Sequence, residues 1–221
     1  MLIDEVLGRY DFHEVHTLVV PASPEAVWRA LDGFTPADVP AAVVLMGLRT
    51  LPTRLAGLVR RDRPAPGATP DGGASWHGRV VPGASAATGR QGTVDARVRT
   101  LRDAMAERFV PLAERAGEET VSGAAGQWWK PSAPFVPLDG PDDFREFRTP
   151  GHLKAAINFR VTAHPRGALL RTETRVVAFD ARTRRVFVPY WHLLARPLGG
   201  IIRQAMLRAV ARRAMAAGST T

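Results

Sequence analysis

The sequence predicts an α+β fold in which a curved antiparallel sheet grips one long C-terminal helix. Three observations lead there. From Leu198 onward, Leu198, Ile201, Ile202, Ala205, Met206, Ala209 and Val210 recur at the i, i+3, i+4, i+7 spacing of an amphipathic helix. Arg203, Gln204, Arg208, Arg212 and Arg213 fall on the opposite face. Upstream, Lys154 to Ala163 and Ala168 to Phe179 alternate apolar and polar residues around His164-Pro165-Arg166-Gly167, the pattern of a long hairpin. The strands and the helix each carry an apolar face that needs cover, and each is the other's natural partner.

Taken in order, Phe12 to Val20 is β-rich and ends at Pro21, which predicts a first strand. Ser23-Pro24-Glu25 is a helix start, with an N-cap hydroxyl, proline at the first position and an acid in the first turn. Val27, Ala30, Leu31 and Phe34 form the buried face of that helix. Pro36 opens a further helical segment with Val39, Val43, Met46 and Leu48, followed by a turn or two through Leu55 and Leu58. Residues 61–93, rich in Gly, Pro and Ala, form an insertion loop with little apolar surface to offset its ordering entropy. Helical periodicity returns at Val94, Val98, Leu101 and Met105. Strands follow over Arg108 to Glu114, Glu119 to Trp129 and a short piece from Phe135 to Leu138. The hairpin pairs Val161 with Leu170, Phe159 with Thr172 and Ile157 with Thr174, and sets Asn158 opposite Glu173. Beyond it, a half-helix from Ala181 to Arg196 presents Phe187, Tyr190, Trp191 and Leu194 on one side. Bends are expected at Pro189 and at Arg196-Pro197-Leu198-Gly199-Gly200.

A chain of 221 residues, 45% hydrophobic, fills one core, so residues 1–221 are read as a single domain. The formal charge of +9 is concentrated at the end, since residues 181–221 hold eight Arg and no acid. No nucleic-acid motif or aromatic platform accompanies that charge, so nucleic acid is not an expected partner. An anionic membrane is a less favoured one, because the sheet needs the apolar stripe as core. The absence of cysteine excludes disulfide and thiol chemistry and fits a reducing compartment. With no signal-peptide pattern at Met1-Leu2-Ile3-Asp4-Glu5, a cytoplasmic location is expected.

Several landmarks resemble the START-like helix-grip superfamily (SRPBCC), which gathers polyketide cyclases, lipid-transfer domains and plant pollen-allergen relatives. They are Ser23-Pro24-Glu25-Ala26-Val27-Trp28, Gly126-Gln127-Trp128-Trp129-Lys130-Pro131 and Ala156-Ile157-Asn158-Phe159-Arg160-Val161. Thr172-Glu173-Thr174-Arg175-Val176 and the helix from Tyr190-Trp191 to Leu207 complete the set. The likeness covers most of the chain outside the insertion. It implies a cavity between sheet and terminal helix that holds an apolar small molecule, with no obligatory cofactor.

The expected partner is therefore a hydrophobic or aromatic small molecule. Its lining is drawn from Trp128, Trp129, Phe135, Phe159, Tyr190 and Trp191, with Ile157, Thr172, Thr174 and Leu194 alongside. The leading reading is a binding or carrier module without turnover. One alternative is a polyketide cyclase or aromatase-type enzyme with Tyr190, His192 or Arg160 as proton donor or oxyanion partner. Another is a lipid-transfer protein that touches membranes through its basic helix. His13 and His16 are three residues apart on a strand, face opposite ways, and cannot share a metal ion. No Walker motif or GxGxxG after a strand points to a nucleotide, and Ser122 has no elbow context. Glu173 with Arg160, Arg171 and Arg175 is expected as a solvated charge ladder on the face away from the terminal helix.

Overall fold

The structure, a computed structural model, describes residues 1–35, 109–130 and 135–218. The helical segments expected at Pro36–Leu58 and Val94–Met105 and the insertion loop lie outside the described residues.

The chain is α+β. The helices and strands run α1 (Leu2–Val6), β1 (Phe12–Val20), α2 (Pro24–Asp32), β2 (Val110–Arg115), β3 (Glu119–Gly126) and β4 (Phe135–Val136). They continue with α3 (Pro141–Glu146), β5 (Leu153–His164), β6 (Gly167–Ala178), α4 (Ala181–Tyr190) and α5 (Arg196–Gly218). A π-helical turn, Trp191–Ala195, joins α4 to α5. The strands form an open antiparallel sheet in the order β1-β6-β5-β3-β2, with β4 paired to β3. The central hairpin has the expected register, Val161 facing Leu170, Phe159 facing Thr172 and Asn158 facing Glu173. Gly167 closes its turn at φ +123°, where a Cβ would lie 2.3 Å from the Val20 carbonyl oxygen.

One side of the sheet holds the main core. Val20, Phe159, Val161, Ala168 and Leu170 pack there with Val27, Ala30, Leu31 and Phe34 of the α2 segment, and with Leu207, Val210 and Ala214 of α5. The Ser23 hydroxyl caps α2 by accepting from the Ala26 amide at 3.2 Å, as the Ser-Pro-Glu start requires.

The terminal helix departs from its expected phase. Ala205, Met206, Ala209 and Val210 join the core, but so does Leu207, while Ile201 is 56% exposed. Arg203 and Gln204, expected in solvent, turn toward β1 instead. The sheet-facing row is Gly200, Arg203, Leu207, Val210 and Ala214, at spacings of three and four. The expected bends also resolve differently, because the chain stays helical through Pro189 and from Arg196 through Gly200. Both prolines withhold an N–H from the i−4 ladder, and the wider π turn lies between them.

The other side of the sheet is covered too. Leu2, Ile3 and Leu7, around α1, and Phe144 of α3 cluster over Val121 and Ala156. Glu173 and Arg175, expected in water, therefore lie beneath α1 at 1% and 6% exposure. They occupy the expected face, but that face is not solvated. Lys154 sits under α3, where its Nζ donates to the Phe144 carbonyl at 2.9 Å and lies over the Phe144 ring. This caps the C-terminal carbonyls of α3 with a cation.

Burial, with a smaller push from Arg148, lowers the Lys154 ammonium to about 8. The unfolded chain keeps that proton up to the ordinary lysine range, so between about pH 8 and 10 the unfolded state binds more protons and stability rises with pH. Chemical denaturation of wild type and Lys154→Met across this range should show their difference climbing with pH. A flat difference rejects the assignment.

Candidate functional site

Along β1 the inward side chains are Phe12, Glu14, His16, Leu18 and Val20. The last two enter the main core, and the same alternation carries a carboxylate and an imidazole under the terminal helix. The helix receives them with its least bulky residues. A Cβ on Gly200 would lie 3.1 Å from Glu14 Oε1 and 3.3 Å from His16 Cε1, and one on Gly199 would lie 2.6 Å from Arg203 Nη1. Two glycines within a helix cost propensity, and here they admit this close approach.

The polar groups form one chain of hydrogen bonds. His16 Nε2 donates to Glu14 Oε1 at 2.7 Å, while Arg203 Nη1 donates to Glu14 Oε2 at 3.2 Å. The Gln204 amide donates to His16 Nδ1 at 3.3 Å, which keeps the ring proton on Nε2. Glu14 and Arg203 have 7% and 16% of their side-chain surface exposed. Burial holds the Arg203 guanidinium below its ordinary value, and the Glu14 carboxylate opposes that shift. Thr174 lies opposite Glu14 in the β1–β6 register and Thr172 opposite His16. The buried Thr174 hydroxyl has no hydrogen-bond partner among the described residues, whereas the Thr172 hydroxyl donates to the Asn158 carbonyl at 2.8 Å.

An open groove of about 750 Å³ runs over this cluster between β1 and the first half of α5. Glu14, His16 and Gln204 line it, Pro197 and Ile201 add apolar surface, and Arg196 and Arg208 bring positive charge. Such a site can seat a hydroxyl or carbonyl against the Gln204 amide, stabilise negative charge at its rim and, where a ligand displaces one of the His16 bonds, move a proton through the imidazole.

The expected lining residues distribute differently. Thr172 and Thr174 come to the cluster through strand register. Ile157 and Phe159 pack into the main core under α2 and α5. Trp128, Trp129, Tyr190 and Trp191 join Phe12 and Phe187 in an aromatic cluster beneath α4, with Phe12 and Phe187 edge-to-face at 4.9 Å. Phe135 packs beside Trp128 with the rings tilted, centroids 5.9 Å apart. Leu194 is 40% exposed. Tyr190, His192 and Arg160 do not converge. Tyr190 is half-buried in the aromatic cluster, His192 is exposed, and Arg160 pairs with Glu118 at 3.1 Å on the sheet's other face.

His13 and His16 do lie on opposite faces, His13 bonding Glu173 and His16 bonding Glu14. That alternation was also the signal for Glu14 and His16, since Leu18 and Val20 fix which side of β1 is core. Arg203 and Gln204 gave no local signal, because a charged helical residue reads as solvated until its partner on another element is known. Comparison with protein-family models, curated proteins and solved structures returns no match.

Proposed function

We propose that the chain is a small-molecule binding domain of helix-grip type whose ligand lies in the groove between β1 and the terminal helix. The observation that carries this reading is the inward Glu14–His16 pair, held by Arg203 and Gln204 at the floor of an open groove. A groove in which a few polar groups converge beside apolar surface is a common form of ligand site. The order of one strand, a helix, an antiparallel meander and a long final helix supports the helix-grip assignment. The preferred ligand is hydrophobic or aromatic with one polar head. Its body lies along Pro197 and Ile201, and its head meets His16 and Gln204.

A second reading, a cyclase or aromatase-type enzyme, is favoured by one detail. His16 lies 2.7 Å from a carboxylate oxygen with its other ring nitrogen against the Gln204 amide, the arrangement of a positioned acid–base pair. On that reading His16→Ala abolishes turnover while leaving ligand mass bound.

The test is native mass spectrometry of gently purified protein, paired with titration of the aromatic probe anilinonaphthalene sulfonate. Wild type should carry a discrete co-purifying mass and bind the probe at one saturable site. In Gly200→Leu the new side chain displaces the Glu14–His16 pair, and the co-purifying mass should vanish with probe affinity falling roughly tenfold or more. The substitution removes a helix penalty of about 1 kcal/mol but crowds a buried pair, so circular dichroism first establishes that the variant is folded. Unchanged ligand and probe binding in folded Gly200→Leu overturns the proposed site.

A further inference from the structure

Seven large apolar side chains are exposed among the described residues, and six of them, Val186, Val188, Leu193, Leu194, Ile201 and Met215, belong to the terminal helical segment. Leu193 is 79% exposed and Ile201 56%. Large apolar groups concentrated on one element mark a contact surface, whereas scattered ones do not. The phase of α5 explains why they are free. The row Gly200, Arg203, Leu207, Val210 and Ala214 faces the sheet, so Pro197, Ile201, Arg208, Arg212 and Met215, at spacings of four, seven, four and three, share an outward face. All five are exposed. The π turn sets Leu193 and Leu194 one turn ahead of that face.

The charge on this segment decides what occupies it. From Ala181 to the C-terminus there are eight Arg and no Asp or Glu. Arg182, Arg185, Arg196, Arg208 and Arg212 are exposed among the apolar residues. A protein surface that buried Leu193 and Ile201 would have to carry acids opposite the arginines it desolvated. A lipid interface accepts the apolar side chains a few ångströms deep while its headgroups neutralise the guanidiniums, which bury their stems and keep their charge at the surface. No described helix is long and apolar enough to cross a membrane.

We propose that the outer face of the π turn and α5 docks on an anionic membrane surface, with Leu193, Leu194 and Ile201 inserted and Arg196, Arg208 and Arg212 against the headgroups. Pro197, Ile201 and Arg208 also line the groove, so the docked bilayer lies beside the groove's mouth. The docking surface rests on exposure and charge; it shares Pro197, Ile201 and Arg208 with the groove wall, while Leu193, Leu194 and Arg212 lie outside the groove.

The experiment is flotation of the full chain with vesicles of phosphatidylcholine containing about 30% phosphatidylglycerol, and with phosphatidylcholine alone, at roughly 0.1 M salt. Wild type should float with the anionic vesicles and stay behind with the neutral ones. Leu193→Asp with Ile201→Asp should lower partitioning about tenfold or more, and Arg208→Gln with Arg212→Gln by a similar factor. All four positions are exposed, so the unfolding midpoint should not move. Failure of wild type to float with anionic vesicles overturns the proposal. So does flotation that the Asp substitutions leave unchanged, since attraction is then electrostatic only. A concentration-dependent dimer in sedimentation that Leu193→Asp with Ile201→Asp dissolves also overturns it, by assigning the face to a second copy of the chain.

Discussion

Replacing Glu173 with alanine should lower the free energy of unfolding by about 3–5 kcal/mol, because it strands a buried guanidinium. The carboxylate, 1% exposed, accepts from Arg171 at 2.6 Å, Arg175 at 2.7 Å and His13 at 2.8 Å. Arg175 in turn donates to the Leu7 carbonyl at 3.0 Å and to Asp4 at 2.6 Å, and lies over the Tyr10 ring. It thereby holds the C-terminal end of α1. The other end rests on Glu119, which accepts from the Leu2 amide at 3.0 Å and from Asn158 at 2.7 Å. Among the described residues, loss of Glu173 leaves Arg175 with only the half-exposed Asp4 as counter-ion and loosens α1 from the sheet.

The same cluster sets an acid limit. Burial alone would raise the Glu173 carboxyl, but hydrogen bonds from Arg171, Arg175 and His13 overcome it and hold the group below its usual value. Asp4 is held low as well, chiefly by its hydrogen bond from Arg175. Each contributes stability that is complete above the unfolded carboxylate range and is lost as pH falls through the lower folded value. Urea denaturation stepped down from neutral pH should therefore show wild type losing stability below about pH 4. Glu173→Ala, already lacking this contribution, should lose less over the same steps. A loss at neutral pH below about 1 kcal/mol would show that the cluster is solvated after all.

The hairpin was legible in the sequence because two constraints coincide there. Period-2 alternation fixes which residues share a face, and the Pro165-Arg166 turn fixes the register, so Val161, Phe159 and Ile157 find their partners without other information. The start of α2 was legible because an N-cap is local chemistry. The phase of α5 was not. Its apolar residues spread over more than one face, and whether Arg203 lies in water or against the sheet is decided by one carboxylate almost two hundred residues away. Likewise α1 and α3, five and six residues long, are too short to be stable alone. They exist because Glu119, Arg175 and Lys154 bond their free backbone groups, and no local propensity records that. Missing them made a two-sided sheet look one-sided and turned a buried ionic cluster into an expected surface ladder. The aromatic residues were found but not their role, since a ring that lines a cavity and one that fills a core leave the same mark in a sequence.

Arg203→Met should destabilise the fold by about 2–4 kcal/mol, somewhat less than the Glu173 change because this guanidinium keeps part of its surface in water. What remains is a carboxylate at 8% exposure whose only other bond among the described residues is to His16. Adding Glu14→Leu removes the stranded charge and fills the space with apolar volume. A buried ion pair replaced by well-packed apolar groups is often neutral for stability, so the double variant should recover to within about 1 kcal/mol of wild type. Binding should follow the opposite course. His16 in the double variant has lost the acceptor for its Nε2 proton, and the groove floor has lost its charge, so the co-purifying mass and the single-site probe binding should both be absent from a protein as stable as wild type. The pair of measurements separates holding the fold from holding a guest: urea denaturation reads the first and native mass spectrometry the second. If the double variant regains stability and still carries its ligand, Glu14 and Arg203 are only an ion pair closing the gap between strand and helix, and the groove above them is not the site.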